Sequence, residues 1–132
     1  MAQLAFYKGE YGNFWDKFIC LVTRSKYSHI EVIFDNYRSW SSSPRDGGVR
    51  QIIFDHTNRW DLLECPSISE KLFIQEKGKK YDWTGLLAPV FQIEFFSAKD
   101  KWFCSEIVAE ALGLSDSWRY TPQDLFNMYK PA

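Results

Sequence analysis

Hydrophobic and polar positions repeat along this chain with two periods, one near two residues and one near four. Gln3 to Lys8 reads as a short strand closed by Gly9, and Gly12-Asn13 as a turn. Phe14, Trp15, Phe18, Ile19, Leu21 and Val22 recur at helical spacing, which predicts an amphipathic helix from Asn13 to about Arg24 with Cys20 in the core. His29 to Phe34 is rich in β-branched and aromatic residues and stops at the turn signal Asp35-Asn36. Ser39 to Ser43 follows as a return strand, Pro44 to Gly48 as a loop, and Val49 to Phe54 and Leu62 to Cys65 as two further strands. Ser67 and Glu70 have the capping-box spacing, predicting a helix from there to about Lys77 that ends before Gly78. Tyr81 to Phe96 is apolar, is split by Pro89 and fits either period. Ile107, Val108, Ala111 and Leu112 make an apolar helical stripe that Gly113 stops. Thr121-Pro122-Gln123-Asp124 opens a last short helix, with Pro122 suited to its first turn. This order predicts an α+β fold, with helices packed against an antiparallel sheet.

The length of 132 residues fits one domain, spanning 1–132, and suffices for a core without disulfide or metal. With 45% apolar and 18% aromatic residues, the chain is too hydrophobic for a disordered one. A formal net charge of −1 provides no basic field for nucleic acid or for an anionic membrane surface. The six Trp are expected in the core or at its rim rather than stacked on bases or sugars.

Met1 to Lys8 has neither the cationic start nor the apolar stretch of a secretory signal, and no apolar run approaches the roughly 20 residues of a membrane helix. Cys20, Cys65 and Cys104 are odd in number and lie in no CxxC pair, so they read as free thiols in a reducing compartment. A cytoplasmic location and no stable membrane insertion are therefore expected. With only His29 and His56 beside them, neither a zinc site nor any other metal or cofactor is expected.

Cys104 falls at the start of its predicted helix, where unsatisfied N–H groups and the positive end of the dipole stabilise a thiolate. His29 opens its predicted strand, and a strand end beside a helix start can bring an imidazole to a sulfur. Taken singly, each has an ordinary reading: a buried structural cysteine, a satisfied polar histidine. His56, between Asp55 and Thr57-Asn58, reads as a surface turn residue.

In combination these elements point further. Ser28-His29-Ile30 before an apolar strand, and Trp102-Phe103-Cys104-Ser105-Glu106-Ile107-Val108 opening a helix, resemble the permuted (YiiX-like) branch of the NlpC-type papain-like cysteine hydrolases. In that branch the histidine strand precedes the cysteine helix. Ser41-Ser42-Ser43-Pro44-Arg45-Asp46-Gly47-Gly48-Val49-Arg50 looks like the branch's third-residue strand and the turn after it. Tyr81-Asp82 and Thr121-Pro122-x-x-Leu125 sit where the branch often has similar residues, so the likeness spans nearly the whole chain.

The resemblance implies a permuted papain-like fold, a nucleophilic Cys104, a general base His29, and amide or peptide substrates such as peptidoglycan stem peptides. The chain departs from the branch at the third residue, usually a polar His, Glu, Gln or Asn on the return strand. Counting along that strand lands on Ser41, with Ser43 on the same face. Glu31, at i+2 from His29, is the rival, and Asp46 a weaker one. Ser41 is the expected orienting group, because a carboxylate roughly 6.5–7 Å along the strand must bend back to reach the ring.

Two other classes remain open. One is a thiol acyltransferase or lipid hydrolase like the lecithin:retinol acyltransferase-like proteins, which share the permuted order; such an enzyme would show a membrane anchor or an exposed apolar helix, and neither is evident in the sequence. The other is a non-enzymatic module acting on a host factor, since the Ser-rich, Gly-Gly-containing segment is similar to stretches of small phage proteins.

Overall fold

The computed structural model describes residues 2–65, 67–83 and 101–131. Five antiparallel strands, β1 (Ala2–Lys8), β2 (Tyr27–Ile33), β3 (Arg38–Ser43), β4 (Gly48–Ile53) and β5 (Trp60–Cys65), form one sheet in the order β4-β3-β2-β1-β5. Four α-helices accompany it among the described residues: α1 (Phe14–Thr23), α2 (Lys71–Glu76), α3 (Cys104–Ala111) and α4 (Pro122–Tyr129). The architecture is α+β. The apolar stretch between Tyr81 and Phe96 lies outside the described residues from position 84 on.

Local chemistry sets the helix ends. The Asn13 side chain accepts the Asp16 N–H at 3.1 Å while the Asp16 carboxylate accepts the Asn13 N–H at 3.0 Å, closing a capping box at the start of α1. Thr121 and Asp124 do the same for α4, with Pro122 at its first position. After α3, Gly113 takes φ 83° and returns its N–H to the Glu110 carbonyl. The helix expected from Ser67 starts later, at Lys71. Glu70 cannot act in a capping box because its carboxylate is bound by Arg38 and by the Trp40 indole N–H at 2.7 Å.

The two faces of the sheet differ. Leu4, Phe6, Ile30, Val32, Trp40 and Val49 point to one side, where α3 packs on β2 and β3 and where Phe73, Ile107, Val108 and Leu125 complete the main core. Residues of opposite parity point to the other side: Tyr7 and Ala5 from β1, His29 and Glu31 from β2, Ser39 and Ser41 from β3, Arg50 from β4. This second face holds a small apolar cluster of Ala5, Ile33 and Phe54, with Trp60 and Leu62 packed against it, beside the polar groups.

α1 departs from expectation. Its buried residues are Asp16, Ile19 and Thr23, whereas Phe14, Trp15, Phe18 and Leu21 are exposed and Cys20 is only half-buried. The helix is amphipathic as predicted, but it leaves its broad aromatic stripe outward and turns inward a mixed side, where Ile19 packs with Tyr81 and Phe103 and Asp16 accepts from Ser28 Oγ at 2.9 Å and from Arg45 at 2.7 Å. An exposed apolar helix is therefore present after all. No helix among the described residues is long and apolar enough to cross a membrane.

Candidate active site

The site begins with an irregularity in β2. Tyr7 pairs with His29 but Lys8 pairs with Tyr27, so one step on β1 faces two on β2, and Ser28 is the extra residue of a β-bulge. The strand starts at Tyr27, and His29 is its third residue rather than its first. At the bulge, the Ser28 hydroxyl turns to Asp16, and its carbonyl oxygen lies 4.0 Å from the Cys104 sulfur.

Cys104 is the first residue of α3. Three contacts fix that helix start, the first of them to the sheet. Ser42 Oγ donates to the Trp102 carbonyl at 2.5 Å, the Glu106 carboxylate accepts the Phe103 N–H at 3.3 Å, and Ser105 Oγ donates to the Tyr120 carbonyl at 2.7 Å. The thiol thus sits where the first N–H groups of a helix have no partner within it.

His29 Nε2 lies 2.5 Å from Glu31 Oε2. The other ring nitrogen, Nδ1, is buried with no hydrogen-bond partner among the described residues, and the Cys104 thiol is close enough to the ring to favour its charged form. Burial opposes the imidazolium, but Glu31 and Cys104 together outweigh it and raise the His29 pKa to about 9. Burial likewise opposes the Glu31 carboxylate, which His29 and Arg50 nonetheless hold down at about 2. With Nε2 committed to a carboxylate, the neutral tautomer leaves the Nδ1 lone pair for the sulfur.

Glu31 is 1% exposed and fully engaged. Arg50 binds it in parallel, Nη1 to Oε1 at 2.8 Å and Nη2 to Oε2 at 2.6 Å, and Ser39 Oγ donates to Oε1 at 3.1 Å. Arg50 Nε is in turn bound by Asp46 at 2.7 Å. Four strand residues and one turn residue therefore form a continuous chain, Asp46–Arg50–Glu31–His29 with Ser39 at its side.

This arrangement corrects the expectation for the orienting group. Ser41 Oγ donates instead to the Ile30 carbonyl at 2.6 Å, leaving Glu31 as the partner of the ring. The distance along the strand does not bar the contact, because the ring and the carboxylate reach toward each other. Both side chains lie on one sheet face and share the span between them, and Arg50 anchors the carboxylate from beyond. Asp46 acts one residue further out, through Arg50.

Arg50 and Ser39 were not singled out from sequence as parts of the site. The available signal was an arginine inside a predicted strand that begins at Val49, where a cation drawn out of water needs a partner. The turn between β3 and β4 that carries Asp46 depends on Gly48, with φ 154°, where a Cβ would lie 1.9 Å from the Lys79 carbonyl oxygen. His56 is exposed, as read from sequence.

A cavity of about 330 Å³ opens against this face of the sheet, lined by Tyr7, His29, Glu31, Arg45, Arg50 and Trp60 among others. Cys104, 1% exposed, does not line it. No group of three or more His, Cys, Asp or Glu side chains that could hold a metal ion occurs among the described residues. Set against protein-family models, curated proteins and solved structures, the chain matches none of them.

Proposed function

We propose that this chain is a thiol hydrolase of circularly permuted papain-like type, cleaving an amide or peptide bond through an acyl-enzyme on Cys104. The observation that carries the reading is a partly buried, carboxylate-bound His29 whose chain neighbour Ser28 meets, through its carbonyl oxygen, the sulfur of a cysteine at the first position of a helix. A purely structural cysteine needs no imidazolium beside it. A purely structural histidine needs no carboxylate clamped by a partly buried arginine.

In the proposed reaction, His29 holds the proton of the Cys104 thiol as an imidazolium that Glu31 favours, leaving the sulfur as thiolate. The sulfur attacks the carbonyl carbon, and the Cys104 backbone N–H, at the helix start, helps hold the oxyanion. Imidazolium returns the proton to the departing amine as the carbon–nitrogen bond breaks. Water, deprotonated by His29, then releases the acid and regenerates the thiol. Substrate enters from the cavity on the His29 side. The resemblance in sequence suggests stem peptides of peptidoglycan as the first substrates to try.

The experiment is intact-mass analysis after incubation with such peptides, beside an amine-release assay. An acyl adduct on Cys104 and free amine, both absent in Cys104→Ala, are expected. Amine release that persists in Cys104→Ala would remove the cysteine from the chemistry.

A further inference from the structure

A helix against a sheet ordinarily turns its apolar stripe inward, and α1 does the reverse. Phe14, Phe18 and Leu21 fall at i, i+4 and i+7 on one stripe, while Asp16, Ile19 and Thr23 lie on the opposite, buried side. Leu21 is 77% exposed, Phe14 65%, Trp15 54% and Phe18 43%. The aromatic surface continues beyond the helix, since the Trp83 ring, 44% exposed, lies 5.2 Å from that of Trp15. The rings of Phe14 and Phe18 stack at 6.2 Å, and Trp15 meets each edge-on. This is one contiguous apolar patch, and isolated exposed side chains would not require the same explanation.

The charges that α1 itself carries point to its partner. Lys17 lies within the outward side of α1 and Arg24 closes its end; both are exposed, with no ion pair among the described residues. The one acid of the helix, Asp16, is buried and bound by Asn13, Ser28 and Arg45. The outward face of α1 therefore offers phenylalanine, leucine and tryptophan flanked by cations, with no carboxylate from the helix beside them. Indole rings favour the boundary between hydrocarbon and water, and lysine or arginine beside them meets anionic headgroups.

We propose that the outer face of α1, with Trp83, docks this protein on the surface of an anionic lipid bilayer, the helix lying in the plane of the headgroups. The proposal goes beyond the hydrolase reading and does not rest on it. Net charge near zero does not oppose it, because the interaction depends on local charge at the patch. Asp16 and the cavity lie on the far side of the same helix, so docking leaves the cavity unobstructed by the bilayer's hydrocarbon.

The test is co-sedimentation with vesicles of phosphatidylcholine alone or with about a third phosphatidylglycerol, alongside sedimentation equilibrium of the protein by itself. A monomer that binds the anionic vesicles and releases at high salt is expected. Removing the charge in Lys17→Gln or Arg24→Gln should weaken binding about fivefold each. Phe14→Ser with Phe18→Ser should weaken it at least tenfold, with circular dichroism checking that the fold persists. Cys104→Ala should bind like the unaltered protein, which separates this outcome from that of the hydrolase reading. Three results would overturn the proposal. One is no binding to anionic vesicles, and another is binding indifferent to both sets of substitutions. The third is a dimer that dissociates on changing Phe14 and Phe18, which would assign the face to a second copy.

Discussion

Arg50 grips Glu31 by two parallel hydrogen bonds, at 2.8 and 2.6 Å, while the same carboxylate holds His29 at 2.5 Å. A buried carboxylate facing the imidazole alone would pay for its own desolvation by taking up a proton. The guanidinium keeps it ionised and fixes its direction, so Arg50 is a positioning residue acting through Glu31.

Arg50→Met should therefore destabilise the fold by on the order of 3 kcal/mol, the cost typical of orphaning one half of a buried ion pair. Arg50→Lys should recover only part of the loss, since an ammonium cannot make both bonds. Urea denaturation measures both. A change in Arg50→Met below about 0.5 kcal/mol, the scale of an ordinary surface substitution, would contradict the structural role.

Glu31→Gln should lower kcat/KM and draw its alkaline limb downward, because the imidazolium loses the carboxylate that raises its pKa to about 9. Ser41→Ala should leave that limb in place, since the Ser41 hydroxyl bonds a backbone carbonyl. A larger shift in Ser41→Ala than in Glu31→Gln would restore the serine as the orienting group.

The same pair sets a pH window for stability. His29, raised from 6.5 to about 9, contributes stability that is fully present below 6.5 and lost as pH rises through 9. Glu31, lowered from 4.5 to about 2, contributes stability present above 4.5 and lost as pH falls toward 2. Both contributions are whole only between 4.5 and 6.5. Urea midpoints at pH about 5.5 and about 8.5 should fall more in the unaltered protein than in His29→Asn. Equal falls would mean that His29 binds no extra proton on folding.

What sequence could and could not convey is clearest at α1. Asn13 and Arg24 mark its ends, and the structure places them at the cap and closing positions. Its periodicity revealed an apolar stripe but not which way the stripe points. The direction is set by Ser28 and Arg45, distant residues that draw Asp16 inward. The position of Cys104 at a helix start was legible for a local reason, an apolar stripe with a glycine stop. Glu31 was legible only as a rival. Its pairing depends on the bulge at Ser28 and on the register that sets β4 beyond β3, neither of which spacing along the chain encodes.

The two histidines should separate cleanly. His29→Ala should reduce turnover of any amide substrate by roughly 10²–10⁴-fold, the usual contribution of a general base. His56→Ala, altering an exposed residue, should stay within about twofold, its surface position carrying little energy. Comparable losses in both variants would place the chemistry elsewhere.

The most direct measurement is mass-spectrometric mapping of the three thiols after brief iodoacetamide treatment near neutral pH. Cys20 is the more accessible, but burial and Asp16 push its pKa up to about 11. Cys65 is as buried as Cys104, and burial raises its pKa too, so it controls for access. Only Cys104 has an imidazolium beside it and a helix start beneath it. Cys104 should label first, and in His29→Ala it should fall back to the rate of Cys65. Labelling of Cys104 no faster than Cys20 and Cys65, or a rate unchanged in His29→Ala, would contradict its assignment as the nucleophile.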